Sequence, residues 1–200
     1  MKKLGATSDE IRVEPLNEQN HSSLQSFCSS VCKELEHFLK ENAYKEQEID
    51  YSRTYLFFHG KVLAGYVTLL TDKQSLKHDH PHPSLAIFQE KVDKPYSSVP
   101  ALKIGRICVA DEYNSRLEAA QYSGLGIIMF TVVLDYAKSL ATKVGCRIIT
   151  SHAKKSTGAY SWYKKIGFQF SNKDEKVKEL LAREDCESIP MFYDIRRIVS

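Results

Sequence analysis

Two short stretches carry residue types that could do chemistry. The first is Gln121-Tyr122-Ser123-Gly124-Leu125-Gly126, followed by the apolar run Ile127-Ile128-Met129-Phe130. Glycines that open a helix let main-chain N–H groups approach an anion closely. The first helical turn also carries unpaired N–H groups and the positive end of the helix dipole, so phosphate binds there naturally. A glycine pair equally just starts a helix, and six residues by themselves leave both uses open. Two nucleotide motifs are excluded: no Gly-Lys-Ser/Thr occurs here, and position 129 is Met where a dinucleotide fingerprint needs its third glycine. The second stretch is Trp162-Tyr163-Lys164-Lys165-Ile166-Gly167-Phe168. A phenol with an ordinary pKa near 10 is protonated at neutral pH and can serve as a general acid. The plainer reading makes Tyr163 and Trp162 half-buried aromatics of a short helix.

Other reactive side chains suggest less. His78, Asp79, His80 and His82 alternate as metal ligands sometimes do. Pro81 and Pro83 interrupt them and no further ligands cluster nearby, so a polar loop without metal is expected. The five cysteines (Cys28, Cys32, Cys108, Cys146, Cys186) are odd in number and form no Cys-x-x-Cys pair. They read as buried free thiols in a reducing compartment, with Cys28 and Cys32 on one helical face. The N-terminal residues lack an apolar core and no run of 18 apolar residues occurs, so neither export nor a membrane span is expected, and the cytoplasm is the default. Two hundred residues, 42% hydrophobic and 26% charged, fit one ordinary globular domain. A net charge of +3 suits a protein that tolerates anionic ligands and falls short of a dedicated nucleic-acid binder.

The elements that must position the two stretches follow from apolar periodicity. Ile11 to Leu16 alternates as a first strand. From His21 to about Ala43, Leu24, Phe27, Val31, Leu35, Phe38 and Leu39 recur at helical spacing and predict one or two amphipathic helices. Arg53 to Leu70 holds two apolar runs broken by His59-Gly60-Lys61, a hairpin. Residues 71–100 change texture: Pro81, Pro83, Pro95 and Pro100 predict a loop or lid with one short helix from Ser84 to Glu90. Ala101 to Ala110 reads as a central strand. Gly124 to Val144 reads as a long helix whose apolar face comprises Ile127, Ile128, Phe130, Thr131, Leu134, Ala137, Leu140 and Ala141. A buried strand (residues 145–153), a short helix ending at Gly167, a strand (168–170), a charged helix (173–183) and a last strand (189–195) complete a single mixed α/β domain over residues 1–200.

In this order the chain resembles the GNAT superfamily of acetyl-CoA-dependent N-acetyltransferases. Their signature is a strand, then Gln/Arg-x-x-Gly-x-Gly/Ala opening a long helix, then a strand and a short helix with an aromatic-Tyr-x-x-x-Gly-Phe ending. Gln121, Gly124 and Gly126 fill the first motif, and Trp162, Tyr163, Gly167 and Phe168 the second. The resemblance runs from about Ile11 to Ile195. It implies a GNAT fold, α/β with a mixed, mostly antiparallel central sheet of about six to seven strands flanked by helices. It also implies acetyl-CoA as cosubstrate, no metal, and a primary amine of a small molecule or peptide as acceptor. The acetyl-CoA diphosphate would rest on main-chain N–H groups from Tyr122 through Ser123, Gly124 and Leu125 to Gly126. Ile107, Cys108 and Val109 would line the pantetheine arm as an added strand does, with an oxyanion donor near Val109. Tyr163 would protonate the leaving CoA thiolate. No general base stands out; Glu112 and His80 are the candidates, and an amine with pKa near 7 to 8 can lose its proton to water.

The N-terminal half, Ser26 to Leu70, and the stretch Val99 to Tyr113 look like bacterial GNAT proteins that include toxins of toxin–antitoxin pairs, which acetylate the amino group of aminoacyl-tRNA; the same layout also occurs in GNAT proteins of no assigned substrate. With such an acceptor, Arg106, Arg116, Lys154 and Lys155 would contact phosphates; a solvated face is the alternative. Two features depart from the family pattern. Seven residues, Asn114 to Ala120, separate Tyr113 from Gln121, where the family runs on directly. Ser156 stands where an Asn commonly bonds the pantetheine, so either its hydroxyl substitutes or affinity is lower. A non-catalytic acyl-CoA-binding module is the rival reading, and intact Gly124, Gly126 and Tyr163 favour the enzyme. A third, an RNA-binding domain relying on basic residues alone, is opposed by the small net charge. An edge strand of the C-terminal sheet is a candidate for pairing two copies.

Overall fold

The structure is a computed structural model, and it describes residues 4–76 and 97–196. His78, Asp79, His80, His82, most of the expected lid and its short helix lie outside the described residues. The strands are β1 (Leu4–Gly5), β2 (Ile11–Pro15), β3 (Arg53–His59), β4 (Val62–Ser75), β5 (Ser98–Val109), β6 (Tyr122–Ser123), β7 (Ile148–Lys154), β8 (Gln169–Phe170) and β9 (Ser188–Asp194). The α-helices are α1 (Lys33–Glu41), α2 (Ala43–Glu48), α3 (Leu125–Lys143), α4 (Ala159–Lys165) and α5 (Asp174–Ala182). Seven strands form one sheet in the order β2-β3-β4-β5-β7-β9-β8, and β1 pairs with β6 separately. The pairs β2–β3, β3–β4, β7–β9 and β8–β9 are antiparallel. The described chain divides into two compact units, one of residues 1–70 and 104–133, the other of 71–103 and 134–200.

In the first unit the hairpin forms as its aromatic and β-branched runs predict, around a two-residue loop at Gly60-Lys61. Its register slips at Ala64, so that Phe57 faces Gly65 and Phe58 faces Leu63. The Ala64 carbonyl accepts the Ala110 N–H at 2.8 Å, which fixes the chain as it leaves β5. The core gathers on Tyr66, which meets Phe27 edge-on at 5.6 Å and stacks with Phe38 at 6.4 Å. Its hydroxyl donates to the Leu35 carbonyl, and burial pushes the phenol pKa well up. Each such aromatic stabilises by about 1.5–3 kcal/mol through removal of apolar surface from water.

The amphipathic helix expected from His21 onward begins only at Lys33. Residues 21–26 form a 3-10 helix and residues 27–32 are irregular. Serines cause this, because their hydroxyls bond backbone carbonyls locally: Ser23 to Asn20 at 2.6 Å and Ser26 to Ser23 at 2.7 Å. Cys28 and Cys32 therefore do not share a helical face, and Cys28 is exposed rather than buried. The apolar face of α3 also differs from expectation. Leu125, Met129, Phe130, Val133 and Ala137 are buried, while Ile127 is 58% exposed and Thr131 is exposed. By length and composition α3 could cross a membrane; here that hydrophobicity feeds a buried stripe.

In the second unit, Leu76, Val99, Ala101, Ile148 and Phe192 form a buried cluster. The expected loop from residue 71 begins later, because β4 continues to Ser75 and β5 starts at Ser98. α4, β8, α5 and β9 fall where the sequence puts them, and Arg147 ties the start of β7 to Asp194 on β9 through two bonds of 2.8 Å.

Candidate active site

The glycine loop belongs to the first unit and is reached from β5. Ile107 and Val109 are half-buried, and Cys108 between them is buried. The Cys108 thiol donates to Ser29 Oγ at 3.4 Å and is pushed up to about 12 by burial, so it is neutral and unreactive. Asp111–Tyr113 then makes one 3-10 turn. The seven residues expected as an insertion close on themselves: Leu117 N–H donates to Asn114, Ala120 N–H to Leu117, and Gln121 N–H to the Glu112 carbonyl at 2.9 Å. The chain thus returns beside its point of departure.

Aromatic contacts hold that closure. Tyr113 and Tyr122 stack with ring centres 4.8 Å apart and 12° between planes. His59, the last residue of β3, meets Tyr122 edge-on at 4.9 Å and shares a 2.8 Å hydrogen bond between its Nδ1 and the Tyr113 hydroxyl. Burial pushes Tyr113 up to about 12. Tyr122 and Ser123 do not remain loop; they form β6 against β1, so the side chain and strand character of the segment both matter. Gly124 follows at φ +92°, a conformation L side chains resist, and α3 begins at the next residue. Leu125 and Gly126 are the first helical positions, whose N–H groups have no intrahelical acceptor. Gly65 on β4 serves a different need. A Cβ there would stand 3.0 Å from both the Cys108 carbonyl and Met129 Sδ, so its absence lets α3 and β5 close on β4.

Tyr163 belongs to the second unit, on α4, where it is 4% exposed. Phe168 and Trp162 flank it at 4.8 and 5.0 Å. Ser151 Oγ on β7 donates to the phenol oxygen at 2.8 Å, which leaves the phenol proton to be given elsewhere. Burial pushes this phenol up to about 12 against the opposing pull of Ser151. Ser151 was not foreseeable from its surroundings in sequence, since nothing local shows which side chain a lone serine in an apolar strand meets. Ser156 is exposed in the turn between β7 and α4.

The basic residues sort into three groups. The Arg106 guanidinium lies 3.6 Å from the centre of the Phe38 ring and 3.4 Å from Glu46, so it braces α1 and α2 while about a third of its side chain stays exposed. Lys155 Nζ donates to the carbonyls of Arg183 at 2.7 Å and Leu180 at 3.3 Å, closing the end of α5. Arg116 is exposed and Lys154 half-buried. Glu112 is exposed beside an acidic recess of about 440 Å³ that it shares with Ser30, Asp111, Leu117, Glu118 and Ala119. Glu36 is a poor base: the Ser29 N–H, Lys40 and Lys33 hold it down at about 2. Among the described residues, no three His, Cys, Asp or Glu side chains gather as a metal site.

The sheet order, the glycine loop leading into α3 and the C-terminal β7-α4 pair define a GNAT fold. Solved structures that share it include toxins. The chain is similar to a Tyr→Phe mutant of the toxin AtaT, with a TM-score of 0.69 and 17% identity over 98% of this chain and 95% of that one. It is also similar to AtaT in complex with acetyl-methionyl-tRNA, with a TM-score of 0.68 and 19% identity over 92% and 94%. AtaTR bound with acetyl-CoA gives 0.63 and 16% over 94% and 95%. No protein-family model matches the chain, and no curated protein does. At these identities the likeness is one of fold.

Proposed function

We propose that this chain is an acetyl-CoA-dependent N-acetyltransferase of the toxin type, whose acceptor is the α-amino group of an aminoacyl-tRNA. The observation that carries this reading is the fold shared over 98% of the chain with AtaT, a toxin described in complex with acetyl-methionyl-tRNA. The residues also fit the cosubstrate. At Gly124 the nearest atom to a hypothetical Cβ is 4.0 Å away, so an anion has room to approach the Leu125 and Gly126 N–H groups at the positive end of a 19-residue helix. Gln121, Tyr122 and Ser123 shape that approach, and Ile107, Cys108 and Val109 offer main chain to the pantetheine arm.

Acetyl-CoA supplies an activated acetyl thioester. The acceptor amine, with an ordinary pKa near 7 to 8, has a neutral fraction at physiological pH and sheds its proton to water. As the N–C bond forms, a main-chain N–H near Val109 holds the carbonyl oxygen on which charge develops. When the C–S bond breaks, Tyr163 gives its proton to the departing sulfur while Ser151 keeps the phenol oxygen in place. A phenol at about 12 would donate to an ordinary thiolate near 8.5 at a cost of about 5 kcal/mol. Burial narrows that gap, because the buried Cys108 thiol of this same protein rises to about 12. Solvent then returns a proton to Tyr163.

The test is thiol release from acetyl-CoA in the presence of charged tRNA, polyamines or peptides, with the acetylated product identified. Turnover on charged tRNA is expected, together with growth arrest on expression. Tyr163→Phe should lower the rate by about 10²–10⁴ and relieve the arrest. Turnover on polyamines or peptides alone would replace the acceptor class. Acetyl-CoA binding without any turnover would favour the non-catalytic module.

A further inference from the structure

The residues ahead of β2 lie against the glycine loop. Leu4 N–H donates to the Gln121 carbonyl at 3.0 Å, and Ala6 N–H to the Ser123 carbonyl at 2.9 Å. Ser123 Oγ reaches the Leu4 carbonyl at 3.5 Å, and the Ala6 carbonyl is the atom nearest to where a Gly124 Cβ would stand. The register is parallel, Leu4 with Tyr122 and Gly5 with Ser123. Immediately after this strand, Thr7 and Glu10 form a capping box, Thr7 Oγ1 donating to Glu10 at 2.8 Å and its N–H at 3.3 Å. Ile11 then pairs with His59, whose ring holds Tyr113 and Tyr122.

From this geometry we propose that Leu4–Ala6 is a strap that presets the diphosphate loop for acetyl-CoA, a positioning element outside the catalytic residues. It rests on the function proposed above. The strap closes a frame in which every side is anchored: β1 on one flank of β6, Tyr113 and His59 against Tyr122, and the Glu112 carbonyl on Gln121. Pairing ends at Ser123, so the amides from Gly124 to Gly126 lie beyond the strap. The strap is tethered to β2 by a short turn, so little chain entropy opposes its return to the loop. Leu4 is 67% exposed and contributes main-chain bonds rather than core packing. Removing the strap should therefore loosen the loop without unfolding the protein.

Proline has no N–H, so Leu4→Pro and Ala6→Pro each delete one of the two bonds. Leu4→Ala and Ala6→Ser keep them and serve as conservative controls. In the full chain, three quantities are measured: acetyl-CoA Kd by calorimetry, the urea midpoint, and amide hydrogen exchange of residues 121–126. The double proline variant should bind acetyl-CoA about tenfold more weakly, as the loss of two net backbone hydrogen bonds implies. Exchange across the loop should quicken, the urea midpoint should fall by no more than the loss of two hydrogen bonds accounts for, and both controls should behave as the parent. Unchanged exchange and Kd in the proline variants would overturn the strap. So would a collapse of the urea midpoint, which would make these residues part of the core. If the parent itself fails to bind acetyl-CoA, the proposed function falls. Loop exchange then still decides the strap, faster exchange supporting it and unchanged exchange overturning it.

Discussion

Tyr163, the acid of the proposed reaction, has a ring and an oxygen in different surroundings. Phe168 and Trp162 pack against the ring, while Ser151 Oγ donates a hydrogen bond to the buried phenol oxygen. Because burial raises this phenol to about 12, the acid form persists through the whole physiological range. The folded pKa lies above the ordinary 10, so the associated stability is complete below pH 10 and is lost as pH rises through 12. Catalysis should accordingly show no alkaline decline from Tyr163 between about pH 8 and pH 10. Ser151→Ala removes the bond that pulls the phenol pKa down and should slow turnover, with acetyl-CoA Kd unchanged. A pH–rate profile of both proteins checks this; an alkaline limb near 10 in the parent would show a solvated phenol instead.

At the scale of elements, closeness around Gly65 matters most. β4 meets the Cys108 carbonyl of β5 and Met129 of α3 at a point where no Cβ fits. The thioether can give way, but the carbonyl belongs to the backbone. Gly65→Ala should therefore cost about 1–3 kcal/mol by overpacking, read as a lower urea midpoint, and should weaken acetyl-CoA binding because β5 carries Ile107 to Val109. A midpoint equal to the parent's would mean that β5 shifts freely. Residues 114–120, expected as an insertion, leave from and return to one place: the Gln121 N–H to Glu112 bond and the Tyr113–Tyr122 stack join the two ends of the stretch.

For the whole molecule, the net charge of +3 places limits on how a large anion is held. Arg106 is paired with Glu46, whereas Lys155 keeps its charge because its partners are neutral carbonyls. In the proposed reading the acetyl-CoA diphosphate is held by main-chain N–H groups at the start of α3. Saturation should be visible as stability: acetyl-CoA at 100-fold its Kd should add about 2.7 kcal/mol to unfolding. A urea titration with and without acetyl-CoA measures it, and no shift with either acetyl-CoA or CoA would argue against an acyl-CoA site.

The hairpin, the long helix after Gly124, the order of the main strands and helices and the positions of both motifs were legible in the sequence, because apolar periodicity and glycine placement are local properties. It misjudged the stretch before Lys33, where serine hydroxyls competed for the backbone. It also misplaced the buried face of α3, since several apolar stripes on one helix compete and only the packing partner selects among them. Cys28, Arg106 and Lys155 found their roles through partners far along the chain: Asp111, Glu46 with Phe38, and the carbonyls of α5. Tertiary structure alone decided that Ser151 faces Tyr163 and that Leu4–Gly5 lies on Tyr122–Ser123. Contacts between residues so far apart in sequence leave no periodic trace, because the physics that joins them, burial and backbone pairing, acts only once the chain has folded.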